Sequence, residues 1–206
     1  MALEDAAATQ SLSMPGQAGA NGDVSRDLHI LMAMVSRLRA LTSSAEAPAS
    51  PGAAYQCSGN GRRGRLLVFN REALLHDGPL ACVGFVSQLR RQMDPGYAEE
   101  LEHTDAHMIQ QLGEQRGLLC YFSRELLPGQ WYNLVLFSHA DAKLQLRDLA
   151  THRRAAYSIA PRAYAWIRLH FGTLASGMHS TRFELQLTRY YDYEAGDVNA
   201  RVVSYA

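Results

Sequence analysis

The pattern of apolar and polar positions divides the chain near residue 65. Before that point a single segment is periodic. "SRDLHILMAMVSRLRAL" carries Leu28, Leu31, Val35 and Leu38 at helical spacing, with Met34 and Leu41 one step off. This predicts an amphipathic helix at about 25–41, with Asp23 or Ser25 as its N-cap. Residues 1–24 are rich in Ala, Gly, Ser, Gln and Asn without period and read as disordered. Residues 42–64, with Pro48, Pro51 and four glycines, read as a linker.

From Arg65 the texture is different. "RLLVF" and "LACVGFVSQL" are short runs of Val, Leu and Phe, the signature of strands. A helix follows, with Pro95 near its start and Gly117 just past its end. "LLCYFSREL" and "WYNLVLFS" flank "LPGQ", a hairpin signal. Ser138 caps a second helix in "HADAKLQLRDLA", and two strands close the chain in "AWIRLHFGTL" and "RFELQLTRYYDYE". The last places Phe183, Leu185 and Leu187 on one face, and the tail after Glu194 is weakly patterned.

After one extra strand at 65–70, this order is β-α-β-β-α-β, the plan of an α+β ferredoxin-like sandwich with an antiparallel sheet and both helices on one face. The other face also carries large apolar side chains, so a second copy of the chain is the expected cover, giving a homodimer packed sheet to sheet. The organisation is thus a flexible extension, 1–64, followed by one domain, 65–206.

Composition narrows the function classes. With 20 basic and 20 acidic residues, the chain carries no net field to draw it to nucleic acid or an anionic membrane. No run approaches the roughly 20 apolar residues of a membrane span. The acidic opening "MALEDAAATQ" is unlike a secretory signal. Cys57, Cys82 and Cys120 form neither a CxxC nor a disulfide framework, which fits a reducing, cytoplasmic setting. Nucleotide, serine-hydrolase and zincin motifs are missing from the sequence.

Several residues are candidates for chemistry. His103 and His107 lie at i and i+4, but fall opposite the face of Tyr97, Leu101, Met108 and Leu112, so a solvated helix face is preferred to a metal site. Asp105 falls close to the centre of that apolar face. There it either lines a polar pocket as a desolvated base or reaches water from an edge. Strand alternation sets Trp166, Arg168 and His170 in a row, suited either to an anionic or aromatic ligand or to a polar patch in a dimer. It also groups Trp131 with Asn133, an amide that needs a partner if buried. The "RRGR" at 62–65 reads as a solvated linker cluster in preference to a phosphate contact.

A continuous helix from Ala140 to Tyr157 would put Arg153 at the centre of its buried stripe, at high cost. A break with Thr151 as the new N-cap instead turns His152 inward with Ala156 and Ile159, and lets Arg153 and Arg154 face out.

A strand ending in Ser, an amphipathic helix, the His-x-x-Ala of "HRRA" and a Tyr before the next strand, as in Trp131 to Gly172, resemble the dimeric α+β barrel superfamily and its antibiotic biosynthesis monooxygenase-like branch. The resemblance spans about residues 80–194. It implies a homodimer with a pocket between sheet and helices that takes a hydrophobic, aromatic or polycyclic small molecule. The implied chemistry is cofactor-independent oxygenation, rearrangement or cyclisation in secondary metabolism. In that scheme His152 or Asp105 accepts a proton, Arg168, His170 and Asn133 hold the resulting oxyanion, and Trp131, Tyr164 and Trp166 complete the substrate site. Two alternatives stand beside it: a haem protein with His152 as axial ligand, and a non-catalytic dimeric stress-response module.

Overall fold

A computed structural model describes residues 24–44, 52, 54–56, 63–144, 149–194 and 199–205. It is a mixed α+β structure on one open antiparallel sheet of eight strands. Residues 1–23 and most of the segment read as a linker lie outside the described part. The chain runs through α1 (Val24–Ser43), β1 (Ala54–Gln56), β2 (Gly64–Val68), α2 (Arg71–Leu75), β3 (Leu80–Leu89), α3 (Pro95–Leu112), β4 (Leu118–Leu127) and β5 (Gln130–Phe137). It continues through α4 (Ala150–Arg154), a π-turn (Ala155–Ile159), α5 (Ala160–Ala163), β6 (Tyr164–Leu174), a 3₁₀ turn (Gly177–His179), β7 (Glu184–Asp192) and β8 (Asn199–Ser204). The sheet order is β1-β2-β4-β5-β3-β6-β7-β8. Two of these strands fall where the pattern was weakest: β1 inside the linker segment and β8 in the tail.

Local chemistry explains most boundaries. Asp94 caps α3 by accepting from the Gly96 amide at 2.8 Å, with Pro95 at the first helical position. The β4–β5 hairpin turns on Pro128-Gly129, where Gly129 takes φ 73°, the left-handed conformation that a turn after proline requires. The helix break predicted ahead of His152 is present, but it falls at Leu149, whose ψ of 134° is extended, and Thr151 does not cap. Arg153 and Arg154 face outward, as the break requires. The π-turn sits directly before Pro161, which has no N–H for the α-helical ladder and whose ring crowds the preceding turn.

The two sheet faces are covered differently. One packs under α3 and under α4 to α5, with Val135 and Phe137 beneath the first and Ile167 beneath the second. The opposite face, expected to need a second copy of the chain, is covered by α1. Leu31, Met34, Val35 and Leu38 are all 3% exposed or less and share one core with Cys82, Val86, Phe122, Leu134 and Leu136. Fully burying each such side chain is worth about 1.5–3 kcal/mol, so α1 is part of the domain's core. Helices therefore lie on both faces of the sheet. Burial pushes the Cys120 thiol up to about 12 and raises that of Cys82 as well, so both behave as small apolar residues.

Of the four register shifts in the sheet, two decide which side chains reach the sites described below. Gln186 is the extra residue where the β6–β7 register shifts between Phe171 and Gly172. Phe183 and Leu185 pack on the α1 side as expected, but Leu187 turns to the other face and Thr188 takes the inward place. Leu126 is the extra residue between Glu125 and Leu127 in β4.

Candidate functional site

The residues singled out in the sequence divide between the two faces. On the α1 side stand Trp166, Arg168 and His170, in the row that alternation predicts, but the anion they meet is internal. Asp27, in the first turn of α1, accepts from Arg168 Nε at 2.6 Å, Arg168 Nη2 at 2.8 Å, His170 Nε2 at 3.0 Å and Tyr132 Oη at 2.8 Å. The carboxylate can only accept, so His170 Nε2 carries the proton, and Nδ1 meets Thr188 Oγ1 at 3.0 Å. The Arg168 guanidinium also stacks over Trp166 at 4.2 Å. Burial works to raise the Asp27 carboxyl, but the hydrogen bonds from His170 and Arg168 and the charge of Arg168 outweigh it and hold it below its ordinary value. Burial and the adjacent carboxylate raise the Tyr132 phenol. Asp27, Arg168, His170 and Thr188 are each 4% exposed or less. This network fastens α1 to the sheet, and it stands on the opposite face from Asp105 and Asn133.

The α3 side holds the other group. One rung of the sheet runs Arg65, Ser123, Asn133, Phe85, Leu169, Arg189, and the next runs Leu67, Tyr121, Val135, Val83, Phe171, Leu187. Asp105 descends from α3 and binds Arg65 Nη2 through both oxygens, at 2.9 and 3.2 Å. Tyr121 donates to Asn133 Oδ1 at 2.9 Å, and the Asn133 amide reaches the Phe85 carbonyl at 3.5 Å. The Arg65 guanidinium lies 5.7 Å from the Tyr121 ring centre. Tyr164 stands edge-on to Phe85, with ring centres 6.0 Å apart. Burial raises its phenol, helped by the nearby charges of Tyr121 and Asp105, and burial likewise raises Tyr121. Burial works to lower the Arg65 guanidinium, and the Asp105 charge more than offsets it. Among the described residues Arg65 Nε and Ser87 Oγ are buried without a hydrogen-bond partner, which suits a polar guest or water.

Thus Asp105, Asn133 and Tyr164 gather as one polar cluster, joined by Arg65 and Tyr121, which sequence reading did not select. Trp131 lies at its margin, under the Arg63 guanidinium at 5.4 Å, with Arg63 paired to Glu125 at 3.4 Å. Two arginines of "RRGR" therefore belong to the sheet and its ion pairs. His152 is half-buried, and burial lowers its pKa. It forms no hydrogen bond to another described residue, and the segment carrying it packs against α3. His103 and His107 are exposed, on the outer side of α3 as helical arithmetic predicts. Among the described residues no three His, Cys, Asp or Glu side chains converge in a way that could hold a metal ion, and no helix is long and apolar enough to cross a membrane. A groove of about 350 Å³ beside α2, lined by Asn70, Glu72, His76 and Ser138, contains none of the candidate residues.

The fold and this cluster define an α+β protein with a partly buried polar group between sheet and helices and an aromatic strip beside it. No family model matches the chain, and no curated protein or solved structure matches it either.

Proposed function

We propose that the sheet face under α3 binds a hydrophobic aromatic small molecule, and that the protein acts on it by cofactor-independent proton abstraction and oxygenation. The observation that carries this reading is the convergence of Arg65, Tyr121, Asn133 and Tyr164 beside Val83, Phe85, Leu169 and Phe171, apolar residues of the central strands that remain only half-covered. The inner strand order β4-β5-β3-β6 is the order of a ferredoxin-like split β-α-β unit and supports the dimeric α+β barrel resemblance for residues 80–194. In a homodimer of this form, α1 would lie between the two sheets.

His152 serves as the proton acceptor. Its lowered pKa leaves the imidazole neutral at pH 7, the state a base needs. An acidic C–H or phenol gives up its proton to that ring, and the oxyanion takes hydrogen bonds from Arg65, Tyr121 or Tyr164. The resulting carbanion adds oxygen to form a hydroperoxide, and loss of water leaves a ketone. Asp105 fixes Arg65 in place for that role. Arg168 and His170 act on the opposite face as the anchor of α1.

Oxygen uptake with a hydroxylated anthrone tests this. The wild type should consume oxygen above the buffer rate without added metal or cofactor, and His152→Ala should slow it about 10²–10⁴-fold, the usual contribution of a positioned base. A wild-type rate equal to the blank, or a His152→Ala rate equal to wild type, contradicts the reading.

A further inference from the structure

The half-covered strip carries a charge feature that the oxygenation scheme does not use. Phe171 is flanked by two cations. Lys143, from the helical turn at 142–144, brings Nζ to 5.6 Å from its ring centre, and Arg189, from β7, brings its guanidinium to the same distance. Neither cation pairs with an acidic side chain among the described residues, and Arg189 is exposed. The floor between them and the polar cluster is apolar: Phe171 pairs across the sheet with Val83, and Leu169 with Phe85. Asn133 is the next residue along the rung beyond Phe85. From β6 to β5 is two strand spacings, about 10 Å, the scale of a two-ring aromatic molecule.

Two cations without an acidic partner among the described residues at one end, hydrogen-bonding side chains at the other and an aromatic floor between them match one ligand chemistry. An uncharged aromatic molecule would leave the cations with water alone. A bare inorganic anion would forgo the floor. We propose that this face selects an aromatic molecule carrying a single carboxylate, with the carboxylate between Lys143 and Arg189 and the rings on Phe171, Leu169 and Phe85. This deepens the proposed function and rests on it, since both place the ligand on the same face.

Titration of the full chain with 2-naphthoate and with neutral 2-naphthamide, followed by calorimetry, tests the assignment. Naphthoate should bind about tenfold more tightly than naphthamide, a difference that two partly exposed charge contacts can supply. That preference should vanish in the Lys143→Gln/Arg189→Gln double variant, with naphthamide affinity unchanged, and should shrink as salt is raised. Inorganic phosphate should not displace naphthoate at matched concentrations. Equal binding of the two probes to wild type overturns the carboxylate assignment and leaves the aromatic site standing. Displacement by phosphate alone also overturns it, because the floor would then add nothing. Absence of binding by both probes overturns the assignment and the proposed function together.

Discussion

Asp27→Ala should destabilise the fold by about 3–5 kcal/mol, the cost of removing one partner from a buried ion pair. Arg168 is 4% exposed and His170 fully buried, so no water replaces the carboxylate, and Tyr132 loses its acceptor at the same time. Denaturant unfolding followed by circular dichroism reads the loss. The triple variant Asp27→Leu/Arg168→Met/His170→Leu removes the charges together and should recover most of it. The same carboxylate sets an acid limit. Its folded pKa lies below the ordinary 3.8, so its contribution is present above that value and is lost as pH falls through the lowered one. Asp27→Asn should therefore flatten the dependence of stability on pH below about 4. Unchanged stability in Asp27→Ala would mean that α1 is held by its apolar stripe alone.

The second large effect is a coupling between α1 and the central strand. Gly84 in β3 lies directly under Leu31. A Cβ at residue 84 would sit 2.3 Å from Leu31 Cδ1, well inside contact distance. Gly84→Ala should cost about 1–3 kcal/mol through overpacking. Leu31→Ala, which opens a cavity where the native side chain is fully buried, should cost about 2–5 kcal/mol. In the double variant the new methyl fills part of the space the leucine leaves. The two losses should then sum to at least 1 kcal/mol more than the double variant shows, a coupling within the range seen for residues in contact. Additive losses would show that the helix does not seat on β3 as described.

Periodicity revealed α3 and the strands from β2 to β7 because these pair a clear period with a clear boundary, such as Pro95 for α3 and Pro128-Gly129 for the hairpin. The second helix expected after Ser138 lies partly outside the described residues, which are helical there at 142–144. Periodicity also revealed the break before His152, since the alternative buried Arg153. What it did not reveal depends on single-residue register. A tight hairpin without a bulge would set Asn133 opposite Arg124 and leave Tyr121 on the far face. The bulge at Leu126 slips the pairing by one and brings Tyr121 and Asn133 to the same side. Gln186 does the same for Thr188, which it delivers to His170. The anchor itself left a trace. Asp27 precedes Leu31, Met34 and Leu38 by 4, 7 and 11 positions, an acid inside an apolar stripe, just as Arg168 and His170 are polar positions in a strand. Each looks misplaced alone, and together they compensate one another. The second sheet face, for which the apolar pattern predicts a second copy of the chain, is covered by α1, because a linker-like segment between a helix and a domain hides from periodicity where that helix docks.

On the proposed function the ligand lies on the sheet face under α3 and not on the one under α1. Methyl-labelled NMR of the full chain, titrated with 2-naphthoate, separates the two because their aliphatic side chains do not overlap. The methyls of Val83, Val135, Leu169 and Leu187 should shift progressively to saturation, while those of Leu31, Leu38, Leu134 and Leu136 stay in place. Shifts gathered on the second set, or none on either at saturating probe, would contradict the account.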